Sequence, residues 1–183
     1  MPRRYVLTGA PGSGKTALLS ALRLRGHVVI EEAATDVITR QQAGGSDEPW
    51  LCDDFIDLIV RLQQQRQRAP VRATVAVQLY DRSPLCTLAL AHYLGRPVTP
   101  VLAQEVSRVL REQVYEPTVF LLRPLGFIEP TAARRISYAA SLAFEQVHEA
   151  VYQELGFELV DVPASSLSDR IAVVEAQIAA EEK

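Results

Sequence analysis

The glycine-rich segment GAPGSGKT, residues 9–16, constrains this chain more than any other part of its sequence. It satisfies the pattern G-x-x-x-x-G-K-[ST] in full. A short apolar run precedes it and a stretch of helical periodicity follows, which is the context in which this pattern forms a loop that binds phosphate groups. The chain is therefore predicted to begin with a strand, a phosphate-binding loop and a helix.

The residue types in this segment explain how it would hold a nucleotide. Gly12 and Gly14 allow backbone N–H groups to turn inward around phosphate oxygens, and the following helix points its positive end at the anion. Lys15 would contact the β- and γ-phosphates, and the Thr16 hydroxyl would be a ligand of Mg²⁺. The predicted nucleotide-binding residues are Gly9, Ala10, Pro11, Gly12, Ser13, Gly14, Lys15, Thr16 and Ala17.

Short apolar runs alternate with longer helical patterns along the chain, and this alternation predicts an α/β fold with a mainly parallel sheet. The predicted strands cover residues 5–8, 27–31, 74–80, 118–122 and 158–162. The predicted helices cover residues 15–25, 36–43, 51–68, 84–94, 100–113, 134–155 and 168 to the C-terminus.

Length and composition limit the alternatives. With 183 residues, 48% of them hydrophobic, the chain is predicted to be one domain, residues 1–183, with a small lid around residues 123–136. A net charge of −3 does not favour nucleic acid or anionic membranes as partners, and no segment is long and apolar enough for a membrane span. We expect Cys52 and Cys86 to be reduced thiols in a cytoplasmic protein, and a homodimer is left open.

A second group of chemically active residues follows the apolar run that ends at Tyr80. Asp81 stands where proteins with this loop place the carboxylate that orients Mg²⁺. The next residues are Arg82 and Ser83, whereas ATPase motors usually have a second acid after the first. An ordinary helix start, with Ser83 as N-cap before Pro84, is the structural alternative.

Two adjacent glutamates end the second predicted strand. A carboxylate at this position can accept the proton of a substrate hydroxyl during phosphoryl transfer. Because side chains alternate between the two faces of a strand, one of the pair should point away from the site. We favour Glu32 over Glu31 as this base, and a solvated pair is the alternative.

Three arginines after the fourth predicted strand could act in a lid. Arg134 and Arg135 are predicted to close over the triphosphate, where cations would neutralise charge on the transferred group. Their alternative role is the solvated start of a long helix, and Arg123 is a weaker candidate.

In these motifs the chain resembles a P-loop kinase-like family labelled as an AAA domain, whose relatives include the ribosylnicotinamide-kinase domain of bifunctional NAD regulators. The matching segments are YVLTGAPGSGKTALLSAL, VVIEEAATDVI, LYDRSPLCTLALAHYL, VFLL and AFEQVHEAVYQELGFELVDVP. The resemblance runs over nearly the whole chain. It implies the P-loop NTPase fold of nucleoside and nucleotide kinases, a three-layer α/β/α structure with a five-stranded, mainly parallel sheet.

The resemblance also suggests what the protein does. It implies an ATP- and Mg²⁺-dependent kinase acting on a hydroxyl of a nucleoside- or nucleotide-like small molecule, with Lys15, Glu32, Asp81, Arg82, Arg134 and Arg135 as catalytic residues. The alternative is a nucleotide-dependent ATPase or GTPase-type regulator of a protein or lipid partner. Relatives often have an arginine where this chain has Thr35, so its acceptor could differ or carry less negative charge.

Overall fold

The computed structural model describes residues 2–126 and 137–181 of the chain. Its five strands are β1 (Arg3–Gly9), β2 (Val28–Ile30), β3 (Val77–Asp81), β4 (Thr118–Leu122) and β5 (Glu158–Val162). They form one sheet in the order β2-β3-β1-β4-β5, and all four pairings are parallel. The predicted α/β fold with a five-stranded parallel sheet is confirmed.

Seven α-helices connect and cover these strands in the described residues. They are α1 (Lys15–Leu24), α2 (Ala33–Ala43), α3 (Phe55–Arg68), α4 (Pro84–Tyr93), α5 (Pro100–Arg111), α6 (Tyr138–Glu154) and α7 (Leu167–Ala180). A short 3-10 helix, Pro49–Leu51, lies between α2 and α3. Ser83, Thr99, Ser137 and Ser166 cap the N-termini of α4, α5, α6 and α7 through their side-chain oxygens.

Two predicted helix starts differ from the structure by three residues or more. Helix α2 begins at Ala33, three residues before the predicted start at Asp36, because the extended backbone ends at Glu32 and two alanines continue directly into the helix. Leu51, the predicted start of the next helix, is instead the last residue of the 3-10 helix, and α3 begins only at Phe55. The predicted start of α6 at Arg134 lies outside the described residues.

The sheet is sandwiched between two helical layers, each with its own apolar core. Residues Tyr5 and Leu7 of β1 face the layer of α1 and α7, while Val6 between them faces the layer of α2 to α6. This alternation follows from the two-residue period of a strand. Because both faces are covered, β4 is buried along its whole length.

The strand order creates one crevice at the carboxyl ends of the strands. From β1 the chain crosses toward one edge of the sheet to form β2. From β3 it crosses in the opposite direction to form β4. The adjacent ends of β1 and β3 are therefore a topological switch point, which is where open α/β sheets bind ligands. Leu7 of β1 lies opposite Asp81 of β3, so the glycine-rich loop and the Asp81-Arg82 pair meet there.

No helix in residues 2–126 or 137–181 has the length and apolar character to cross a membrane. Both cysteines are free thiols: Cys52 is exposed and Cys86 is buried. Cys86 lies 3.2 Å from the Tyr152 hydroxyl and 3.4 Å from the Thr8 hydroxyl, so it is part of the polar packing beneath the site.

The end of β1 requires glycine for a steric reason that can be tested. At Gly9 the φ angle is +133°, and a Cβ atom there would lie 2.4 Å from the Leu122 carbonyl oxygen. At Gly26 the φ angle is +98°, but a Cβ atom would meet nothing within 4 Å. We expect Gly26→Ala to lower the free energy of unfolding by about 1–2 kcal/mol through backbone strain alone, and Gly9→Ala to lower it further. Urea denaturation of both variants measures the difference, and equal losses would contradict the steric explanation.

Candidate functional site

The glycine-rich loop between β1 and α1 forms an anion cradle. Gly12 and Gly14 have φ angles of +84° and +82°, a region that side chains strongly disfavour. Helix α1 begins at Lys15, so the unpaired N–H groups of its first turn face the loop. The Lys15 ammonium is buried and donates to the carbonyl oxygens of Gly9 at 3.3 Å and Ala10 at 3.2 Å. Two glycines of the predicted cradle therefore adopt the left-handed backbone for which the sequence pattern provides.

Burial lowers the pKa of Lys15 to about 8, and the nearby charge of Arg82 lowers it further, while Asp81 and Glu32 act in the opposite direction. A bound anion would favour the protonated ammonium, because an opposite charge stabilises the charged form. The lysine is therefore placed to gain charge stabilisation when a polyphosphate enters the cradle.

Asp81, at the end of β3, has a buried carboxyl group. Burial raises its pKa to about 6, although the Lys15 charge acts to lower it. Its Oδ1 atom has no hydrogen-bond partner among the described residues. A buried oxygen of this kind is suited to a cation or a water as its partner.

Thr16 and Asp81, the two predicted magnesium ligands, both carry side-chain oxygens. Thr16 is exposed in the first turn of α1, directly after the glycine-rich loop. A hydroxyl and a carboxylate oxygen are ligands that Mg²⁺ accepts together with phosphate oxygens and waters. No three His, Cys, Asp or Glu side chains of the described chain gather into a metal cluster.

Arg82 lies at the centre of the site. Its Nε donates to Glu32 Oε1 at 2.6 Å, its Nη2 to the Gly9 carbonyl oxygen at 3.2 Å, and its Nη1 lies 2.8 Å from His148 Nε2. Its φ angle is +71°, the left-handed region that non-glycine residues rarely adopt. The arginine thus joins the ends of β1 and β3, the residue before α2, and helix α6.

Glu32 faces the site and Glu31 does not. The second carboxylate oxygen of Glu32 accepts from the Thr35 hydroxyl at 2.6 Å. Glu31 is exposed and forms an ion pair with Arg23 of α1. Burial acts to raise the pKa of Glu32, but Arg82 and Lys15 outweigh it and the net shift is downward, so the carboxylate is ionised at neutral pH.

Arg123, the weaker candidate, is bound by three acidic side chains. Its guanidinium forms ion pairs with Glu145, with Glu149 and, at 2.8 Å, with Asp161. These contacts join the end of β4 to α6 and β5. The predicted lid around residues 123–136 is described only up to residue 126, and Arg134 and Arg135 lie outside the described residues.

Three buried polar residues near the loop were not predicted from the sequence. Glu145 accepts from the Ala10 N–H at 3.1 Å, His148 contacts Arg82, and Arg170 donates to the Ser13 carbonyl oxygen. Glu145 and His148 occupy the buried stripe of α6, and Arg170 occupies that of α7. A charged or polar residue at a position where the 3.6-residue period predicts an apolar side chain is the signal that could have identified them.

The fold and the glycine-rich loop together define a protein of the P-loop class. The family described as AAA domain matches residues 4–170 of the chain. The chain therefore belongs to this AAA-domain family, and the predicted family resemblance is confirmed. No curated protein matches the chain at the threshold applied.

Solved structures of two kinases and of a NadR protein share this fold. A deoxyadenosine kinase from M. mycoides with bound dCTP is 12% identical with a TM-score of 0.64, and the match covers 97% of this chain and 99% of that one. A NadR protein in complex with NAD and AMP-PNP is 17% identical with a TM-score of 0.68, covering 96% of this chain and 48% of that one. Thymidylate kinase from Candida albicans is 12% identical with a TM-score of 0.59, covering 99% and 92%. At these identities the matches establish the fold.

His148 gives the site a pH dependence that can be measured through stability. Burial lowers the pKa of His148 well below its usual value, and the Arg82 charge lowers it further. The folded protein therefore keeps this imidazole neutral, while the unfolded chain binds a proton below about pH 6.5. Stability from this group is present above that pH and is lost as the pH falls below it.

We expect His148→Gln, whose side-chain oxygen can still accept from Arg82, to lose less stability than wild type between pH 7.5 and pH 5.5. Urea denaturation at the two pH values measures this difference directly. An identical pH dependence of the two proteins would contradict a neutral, buried His148.

Proposed function

We propose that this protein is a kinase that transfers the γ-phosphoryl group of ATP to a hydroxyl of a nucleoside- or nucleotide-like small molecule. The observation that carries the proposal is the ion pair between Arg82 and Glu32, which is in hydrogen-bond contact with the Gly9 carbonyl of the cradle. This pair brings together an ionised carboxylate and a guanidinium, the two groups that phosphoryl transfer to a hydroxyl requires.

Each residue then has one role. The cradle N–H groups and Lys15 bind the β- and γ-phosphates, and Glu32 accepts the proton of the acceptor hydroxyl as its oxygen attacks phosphorus. Arg82 stabilises the charge on the transferred group. Thr16 and Asp81 would hold Mg²⁺, which neutralises charge on the phosphates when it is bound. Arg134 and Arg135 remain proposed lid residues.

The surroundings of Asp81 favour transfer over hydrolysis. In a hydrolase of the motor type a second acid would polarise a water, whereas here the next residue is Arg82, which points to Glu32. The kinase titles of the structural neighbours support the same choice, although they establish only the fold. A nucleotide-dependent regulator of a protein or lipid partner is the alternative that the experiments below would detect.

Thr35 bears on the nature of the acceptor. Its hydroxyl donates to Glu32 at 2.6 Å and so orients the proposed base. In the relatives that this chain resembles, an arginine at the matching position would attract an anionic acceptor. We therefore propose that the acceptor carries less negative charge than theirs.

The role of Glu32 can be tested against its neighbour. We expect Glu32→Gln to lower the turnover number at least about a hundredfold, since general base catalysis contributes 10²–10⁴-fold, with little change in the dissociation constant of ATP. Glu31→Gln, the matched control, should retain activity because Glu31 is exposed and pairs with Arg23. Lys15→Ala should weaken ATP binding itself.

The assay would follow labelled phosphate from ATP to a panel of nucleosides, nucleotides and related hydroxyl compounds. Transfer retained by Glu32→Gln would remove this residue from the base role. If no compound accepts phosphate while a protein or lipid partner accelerates ATP hydrolysis, the regulator function replaces the kinase.

Arg82 should act mainly in the transition state. Arg82→Lys keeps a positive charge but loses the planar fork that contacts Glu32, Gly9 and His148 together. We expect the turnover number to fall about a hundredfold or more, while the dissociation constant of ATP changes less than threefold. Pre-steady-state transfer assays and equilibrium binding separate the two quantities, and an effect confined to ATP affinity would contradict the assigned role.

A further inference from the structure

Arg170 is a buried arginine behind the phosphate-binding loop. It lies in the first turn of α7 and is only 3% exposed. With Val174 and Ile178 it forms the buried stripe of this helix, at spacings of four residues. An apolar side chain would satisfy that position for packing alone, so the guanidinium requires another explanation.

The guanidinium donates to three backbone carbonyls. Nη1 donates to Ser13 in the cradle, Nη2 to Arg123 after β4 at 2.7 Å, and Nε to Pro163 after β5 at 2.9 Å. Nη1 also lies against the last glycine of the loop, because a Cβ atom at Gly14 would be 3.1 Å from it. One side chain thus ties the cradle to the ends of two strands.

The contact with Ser13 sets the direction of an amide group. In a trans peptide the carbonyl and the following N–H point in opposite directions. Because Arg170 holds the Ser13 carbonyl toward α7, the Gly14 N–H of the same peptide points away from α7. A cation on the carbonyl oxygen also polarises the peptide and strengthens the N–H as a donor.

Arg170 has no carboxylate partner within the described parts of the chain, which sets it apart from the neighbouring Arg123 with its three acids. Burial lowers its pKa, but an arginine side chain remains protonated in proteins. Carbonyl oxygens compensate a buried charge only in part. A polyphosphate in the adjacent cradle would provide the missing negative charge.

We propose that Arg170 is a positioning residue for polyphosphate binding, which orients the Ser13–Gly14 peptide and adds a positive charge behind the cradle that no carboxylate of the described chain contacts. This inference rests on the proposed nucleotide binding. It assigns to α7 a part in ligand affinity in addition to its packing role.

The test separates the effect of the Arg170 charge on ligand binding from the effect of its three hydrogen bonds. Dissociation constants for inorganic tripolyphosphate and for ATP, both with Mg²⁺, would be measured by calorimetry for wild type, Arg170→Lys and Arg170→Gln. We expect Arg170→Gln to weaken tripolyphosphate binding about tenfold or more, and Arg170→Lys, which keeps the charge, to stay within about threefold of wild type. Arg25→Gln is the matched control, because Arg25 also contacts α7, through Glu175, but is exposed.

If Arg170 acted only by joining the ends of β4 and β5 to the loop, the lysine and glutamine variants would lose affinity alike, because neither reproduces the three-way fork. That result would overturn the proposal, which requires only the charge and one donor to the Ser13 carbonyl. So would wild-type affinity in Arg170→Gln. If Arg170→Gln fails to fold, loss of tripolyphosphate binding in a folded Arg170→Lys would overturn the proposal, and retention would support it.

If wild type binds neither ligand, the proposed function fails as well. If wild type binds ATP and Lys15→Ala does not, an unchanged Arg170→Gln rejects only the inference about Arg170.

Discussion

The arrangement of the site depends on the contacts of the Arg82 guanidinium. Its fork reaches a carboxylate beyond β2, a carbonyl at the end of β1 and an imidazole on α6, while its own backbone follows β3. These groups come from four parts of the chain that only the completed sheet brings together. Parallel pairing of β1 with β3 makes this possible, because it places Leu7 beside Asp81 and the glycine-rich loop directly beyond.

The backbone conformation and the burial of Arg82 both cost free energy. A left-handed backbone at a non-glycine residue costs roughly 1–2 kcal/mol, and a buried guanidinium must be desolvated. Ser83, the next residue, ends the turn at once: its hydroxyl caps α4 and lies 2.7 Å from the Tyr152 hydroxyl. The helix cap first considered as an alternative to catalysis is therefore present, and it fixes the turn that carries Arg82. Strain of this kind is typical of functional sites.

The sequence predicted the parts of this protein that depend on local patterns. The loop pattern predicted a turn between the first strand and the first helix, and apolar runs located the five strands. Strand alternation predicted that one of Glu31 and Glu32 points away, without deciding which. The sequence did not predict roles for Glu145, His148 or Arg170. A polar residue on a helix is normally expected to be exposed, and only the fold shows that these three are buried. Their partners are distant in sequence, such as the Ser13 carbonyl for Arg170, and become neighbours only through the fold.

The contacts of Arg82 also suggest the order in which they would change when a phosphoryl group arrives. The bond to Glu32 joins two charges and is the strongest of the three, whereas the Gly9 carbonyl and the neutral His148 offer uncharged acceptors. A phosphoryl oxygen competes best with the uncharged acceptors, so Nη1 and Nη2 are the atoms that would turn to it. Nε would remain on Glu32. The guanidinium would then contact the transferred group and the proposed base at once, which keeps the attacking oxygen and the phosphorus in one geometry.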